Sequence, residues 1–272
     1  MERHKTPIVR NHRNRSHECE RSTPRACATV APAFVLALLI GLSGHPIDAQ
    51  DWAKARLEKS LRHREQVIVN NGGRAIPTLV VYPEAKDKKP VVLLIHDSAG
   101  VTDWFQNFAD QVAAMGYVAV VPNLMPDRTM PDLNAVADYV VKLPASDGRL
   151  FAAGIGWGGT QSFRLAADRS DVAAALVICG ASPDKDSVAR VKGTIFGFYA
   201  ANDERVNATV PPAQAAAKAA DVVFEAVTYD GVGPQFMQSG DAPDAKPADK
   251  LARGYAMERM KSVLDMVTLR GY

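Results

Sequence analysis

Gly154-Ile155-Gly156-Trp157-Gly158-Gly159 is the stretch whose residue types and spacing come nearest to chemistry, and it satisfies two patterns at once. Read as Gly-x-Gly-x-x-Gly, it would let a pyrophosphate approach the backbone at a helix N-terminus, as in dinucleotide-binding folds. Read as Gly-x-nucleophile-x-Gly, it would be a sharp strand-to-helix turn that lifts an attacking side chain above a sheet. The first pattern should open the first β-α-β unit and be followed about 20 residues on by an acid. Several candidate strands precede it here, and the next one ends Val177-Ile178-Cys179-Gly180 without a carboxylate. The second pattern fits the mid-chain position, but its nucleophile place is taken by Gly156. Glycine suits the strained backbone there and supplies no attacking atom.

The general base is also missing. Catalytic triads built on such a turn run nucleophile, acid, base along the chain. The six histidines are His4, His12, His17, His45, His63 and His96, all upstream of the turn. Other groups could form a displaced constellation: Cys179, or a hydroxyl of Ser98, Thr160 or Ser162, assisted by Asp97, Asp203 or Asp230, since carboxylates serve as bases. Against this, an unactivated hydroxyl is a weak nucleophile, and a buried cysteine is usually a small hydrophobe whose reactivity needs a nearby cation. His96 and Asp97 end one candidate strand, where adjacent side chains point to opposite faces. A dyad between them is not expected, and His96 reads as a structural histidine.

The elements that must hold these residues follow from periodicity. A charged helical lead-in covers 51–65, and candidate strands at 66–70 and 76–82 flank Asn71-Gly72-Gly73, a hairpin turn signal. The apolar run 91–95 has the character of a strand buried on both faces. Alternation follows: helix 103–115 with Phe105, Phe108, Val112 and Met115 on one face, strand 117–121, helix 132–142, strand 150–153, helix 158–168, strands 173–178 and 193–199, helix 211–219 and strand 222–228. The last helix, 246–268, places Ala256, Met260, Val263, Leu264 and Val267 together. The expected fold class is α/β, a mostly parallel central sheet with helices on both faces.

Charge is uneven along the 272 residues. Residues 1–49 carry seven of the 32 Lys and Arg and four of the 30 acids, so the remainder is close to neutral. That balance favours neither a nucleic-acid partner nor a membrane surface. A basic stretch, the apolar run Ala31–Leu42 and Ile47-Asp48-Ala49 together read as an export signal. The run is short for a membrane span, which needs about 20 residues. The expectation is an export segment at 1–49, cleaved or retained as an anchor, one domain at 50–272, and a periplasmic or secreted location. Cys19 and Cys27 fall within that segment and leave Cys179 without an internal disulfide partner.

From about Glu65 to Leu269 the chain resembles the dienelactone hydrolase family. The resemblance is carried by Gly72-Gly73-Arg74 with VVYPEAKDKKPVVLLIH, by GVTDWFQNFADQVAAMGYVAVVP at 100–122, and by GIGWGGTQSF at 154–163, where the family has its nucleophilic cysteine at the position of Gly156. GFYAANDERV at 197–206 resembles the segment of the catalytic aspartate, which falls on Asp203; YDGVGPQF at 229–236 resembles the segment of the histidine, which falls on Pro234. The resemblance implies an α/β-hydrolase fold and a Cys-Asp-His triad acting on esters or lactones, with no metal and no cofactor. Two triad positions depart from it, leaving Asp203 as a vestigial acid or a solvated strand-end carboxylate. The family also implies an anion-gripping arginine at Arg205, whose alternative is a surface pair with Glu204 or Asp203, and an oxyanion-hole loop at His96 and Asp97, often with Glu at the latter position. Trp157 becomes an aromatic wall or core packing beneath the turn.

The reading expected from the sequence is therefore an exported, catalytically degenerate family member. It would bind a small ligand, a carboxylate, ester or lactone, near Arg205, Trp157, Asp97, His96 and Cys179. The alternative is a working hydrolase with a displaced constellation.

Overall fold

The computed structural model describes residues 51–127 and 129–270; the expected export segment at 1–49 lies outside them. Eight strands form one sheet in the order β1-β2-β4-β3-β5-β6-β7-β8. They are β1 (Arg64–Asn71), β2 (Arg74–Val81), β3 (Lys89–Ile95), β4 (Val118–Pro122), β5 (Ser146–Ile155), β6 (Val172–Ile178), β7 (Thr194–Ala200) and β8 (Phe224–Tyr229). Only β1-β2 and β2-β4 pair antiparallel. All pairs from β4 through β3, β5, β6 and β7 to β8 are parallel, as strands alternating with helices require.

The β1-β2 hairpin is closed by Gly72 and Gly73 at φ 53° and 90°, with Asn71 opposite Arg74. Two left-handed residues in a two-residue loop match the twist of the flanking strands. The lead-in helix α1 (Asp51–Lys59) stops before the expected 65 because Arg64 and Glu65 are already paired with β2; backbone pairing outweighs the helical charge pattern. β5 starts at Ser146, four residues before the apolar run, because Lys89 pairs with Ser146 ahead of an irregularity in the ladder. That polar start carries no hydrophobic signal.

The central strands divide their side chains between two cores. On one face Val92 and Leu94 of β3 pack with Phe105, Phe108 and Val112 of α2 (Asp103–Ala114). The same core takes Ala256, Met260, Val263, Leu264 and Val267 of the C-terminal helix, the five residues grouped by its spacing. On the other face Val91, Leu93 and Ile95 meet α3 (Met130–Val140) and α4 (Trp157–Asp168) through residues such as Leu133, Val136 and Phe163. Met115, expected on the α2 face, is only partly buried because the helix has ended and Gly116 turns the chain at φ 100°. Three short helices escaped the periodicity reading: α5 (Lys185–Val188), α6 (Glu204–Asn207) and α8 (Phe236–Ser239), each a single turn. α7 (Val210–Ala219) and α9 (Pro247–Arg270) complete the chain.

Candidate active site

Five of the parallel strands, β3, β5, β6, β7 and β8, lie side by side and end on one edge. Open α/β sheets bind ligands beyond that edge. Every candidate chosen from the sequence follows one of these ends: His96 and Asp97 after β3, Gly156 and Trp157 after β5, Cys179 after β6, Asp203 and Arg205 after β7, and Pro234 after β8.

At the end of β5, Gly156 turns the chain with φ 57° and ψ −117°. Its N–H donates to Ile178 O at 2.8 Å, and its carbonyl accepts the Thr160 N–H at 3.2 Å, so α4 begins at once. The neighbouring glycines are fixed by close approach. A Cβ on Gly154 would lie 2.1 Å from Gly158 O, one on Gly158 2.0 Å from Ile95 O, one on Gly159 2.8 Å from Ile178 O, and one on Gly180 2.4 Å from Thr160 N. Gly156 differs: the nearest atom to a Cβ there is Asp97 Cβ at 3.7 Å, ordinary contact. The flanking glycines let strand, turn and helix touch, whereas Gly156 has room for a side chain.

His96 is fully buried and held as part of the scaffold. Its Nε2 accepts the Leu124 N–H at 3.2 Å, which places the ring proton on Nδ1, 2.7 Å from Asp97 O. The histidine therefore bonds the backbone of Asp97 and not its carboxylate, whose Oδ1 accepts the Ala99 N–H at 2.8 Å. The half-buried Trp157 ring lies 6.2 Å from the His96 ring.

Cys179 sits at φ 49°, an unusual backbone for a residue with a side chain, and its N–H bonds Phe198 O at 2.9 Å. It is 3 % exposed, and burial pushes its thiol up to about 12, with the charge of Asp203 adding to the rise. A thiol held protonated in this way is a poor nucleophile. Ser162 is committed as a donor to Gly159 O at 2.8 Å.

Asp203 caps α6 by accepting the Val206 N–H at 3.3 Å. Asn207 ties the same loop back to Ala200 O at 2.8 Å. Arg205 is exposed and, among the described residues, pairs with neither Glu204 nor Asp203. The β7 and β8 loops are joined by Asn202 N donating to Val232 O at 3.1 Å, which sets the exposed turn at Pro234 beside the Asp203 loop. Sequence reasoning missed Tyr199 and Tyr229 at the ends of β7 and β8. Both are buried; the Tyr199 hydroxyl faces Ser182, and the Tyr229 hydroxyl has no hydrogen-bond partner among the described residues. An aromatic at a strand end gives no sign in sequence of where its hydroxyl will point. No group of His, Cys, Asp and Glu suited to a metal ion occurs among the described residues.

The strand order and the elbow at Gly156 define an α/β-hydrolase. Within that class the chain belongs to the dienelactone hydrolase family, whose family model matches residues 76–128 and 124–268. The protein named "Putative carboxymethylenebutenolidase" of Salmonella typhi is 24% identical over 200 residues, 60% of this chain and 74% of the relative. Among solved structures, the "Putative Dienelactone Hydrolase" of Klebsiella pneumoniae matches with a TM-score of 0.64 at 20% identity, covering 73% of this chain and 98% of its own. The dienelactone hydrolase-like promiscuous phosphotriesterase P91 from metagenomic libraries matches with a TM-score of 0.68 at 15% identity, over 76% and 98% of the two chains.

Proposed function

We propose that this protein is a dienelactone hydrolase family member without covalent hydrolysis, which binds a small carboxylate, ester or lactone at the strand ends. The observation that carries the reading is Gly156: a sharp strand-to-helix turn at φ 57° where a Cβ would meet only ordinary contact with Asp97 Cβ, yet no side chain stands there. Pro234 supports it, because its ring neither accepts nor donates a proton at the position of the base. Loss of a triad member leaves only what the oxyanion hole and binding contribute. The exposed guanidinium of Arg205, beside Asp203, offers a fork for a carboxylate.

The purified protein is expected to hydrolyse p-nitrophenyl acetate at the rate of buffer. Cys179→Ala and Asp203→Asn should leave that rate unchanged, since the Cys179 thiol is buried and held protonated. Hydrolysis well above buffer that either substitution removes would overturn the proposal in favour of a displaced constellation.

The proposal includes export by residues 1–49, on the strength of the basic stretch followed by Ala31–Leu42. Fractionation of cells making the full chain should find it outside the cytoplasm. Recovery wholly in the cytoplasm would remove export from the reading.

A further inference from the structure

A shallow groove of about 390 Å³ runs along the outer side of α9, lined by Pro247, Lys250, Leu251, Gly254, Tyr255 and Glu258. These residues recur at three- and four-residue spacing and so share one face of the helix. The opposite face is the buried one, with Ala252, Ala256, Met260, Val263, Leu264 and Val267 in the core. On the outer face Leu251 is 58% exposed and Tyr255 56%. Single exposed apolar residues are ordinary on a surface; here two stand one turn apart beside a gap in the helix surface.

The gap is Gly254. A Cβ there would meet nothing within 4 Å, so packing within one chain does not call for a glycine. A glycine inside a helix weakens it relative to alanine. What it supplies is close approach by a second backbone. The charges around it are ordered to suit one particular partner. Lys250 lies four residues before Gly254 and Glu258 four after it. Both are exposed, and neither makes an ion pair among the described residues. Further along the same face, Lys261 and Asp265 already pair with each other. A two-fold axis at Gly254 that sets two copies of α9 antiparallel brings Lys250 of each copy level with Glu258 of the other, since both lie about 6 Å from the axis along the helix. The same operation puts Leu251 of each copy beside Tyr255 of the other. A parallel pairing would instead set lysine against lysine, and a partner carrying one sign of charge would be repelled at one end of the groove.

We infer that this face of α9 docks a second copy of the chain, as an antiparallel two-fold helix pair centred on Gly254. The contact is self-complementary, as a two-fold interface must be. One helix face per copy makes a small interface, so the dimer is weak and exchanges with monomer. The inference is independent of the chemistry at the strand ends.

Sedimentation velocity of the full chain between about 5 and 300 µM tests it. The average mass should rise towards twice that of one chain, with a Kd of about 50 µM or tighter. Lys250→Glu and Glu258→Lys each set like charges together at both ends of the contact, and each should weaken association about tenfold. The double reversal restores opposite charges and should return the Kd to within about threefold of the parent. Gly254→Gln fills the gap and should abolish the dimer with the far-ultraviolet circular dichroism unchanged, because the position is open. Zero-length carbodiimide cross-linking should join a Lys250 peptide to a Glu258 peptide; within one helix the two lie about 12 Å apart, so that link reports two copies. The inference is overturned if the chain stays monomeric at about 300 µM, if a dimer forms that none of these substitutions changes, or if the double reversal associates as poorly as the single ones.

Discussion

Introducing Gly156→Cys and Pro234→His together is expected to raise hydrolysis of p-nitrophenyl acetate by about 100-fold over the parent, with each single substitution close to the parent rate. The nucleophile and the base act as a unit, so neither alone restores the pathway. Space is not an obstacle at Gly156, where a Cβ comes no closer than 3.7 Å to Asp97 Cβ. The cost is backbone strain: a residue with a side chain at φ 57° is disfavoured by about 1–3 kcal/mol, a load that active sites commonly carry. At the other position, the Pro234 turn is exposed and the Asn202–Val232 bond already sets its loop beside Asp203. A histidine there would have an acid within the adjoining loop to orient it. A rate at the buffer level from a double variant that melts like the parent would mean that the strand-end loops have diverged beyond the two missing groups.

The second large effect is on stability. Asp241, 6% exposed, is the centre of a buried clasp. Its carboxylate accepts from Arg56 Nη1 at 2.8 Å and from Trp104 Nε1, Asn107 Nδ2 and Gln111 Nε2 at 3.2, 3.2 and 3.1 Å, and it forms an ion pair with Arg253 Nη2 at 2.9 Å. One carboxylate thereby joins α1, α2 and α9 to the segment that leaves the Pro234 turn. Removing Asp241 leaves the largely buried Arg253 guanidinium uncompensated, at a cost of about 3–5 kcal/mol, while the half-exposed Arg56 is solvated by water and adds little. Asp241→Ala also strands three neutral donors. The unfolding midpoint is expected to fall by about 10 °C, read by circular dichroism on heating. A change within about 2 °C would show that water replaces the carboxylate without loss.

Most of the architecture was legible along the chain. The apolar run at 91–95 became β3, and the five grouped residues of the last helix became its buried face, because burial on one side writes its period into the sequence. The single-turn helices did not show, since one turn is too short to carry a period; α6 exists because Asp203 caps it locally. The sheet order, with β3 between β4 and β5, is set by which ladders pair across long loops, and nothing local encodes that.

The candidate site divides in the same way. Sequence by itself determined that no thiol or hydroxyl stands at position 156 and that no histidine follows His96, because the presence of a reacting atom is a matter of covalent identity. It also supplied the family resemblance that the family match now shows. Only the tertiary structure decided that Gly156 turns the chain at φ 57° with room for a Cβ at ordinary contact distance, while Gly154, Gly158, Gly159 and Gly180 are filled against their neighbours. It alone buried Cys179, which pushes its thiol up, and set His96 Nε2 to accept the Leu124 N–H with Nδ1 against Asp97 O. Burial and hydrogen-bond partners depend on which distant segments pack together, so no reading of neighbours along the chain could have settled them.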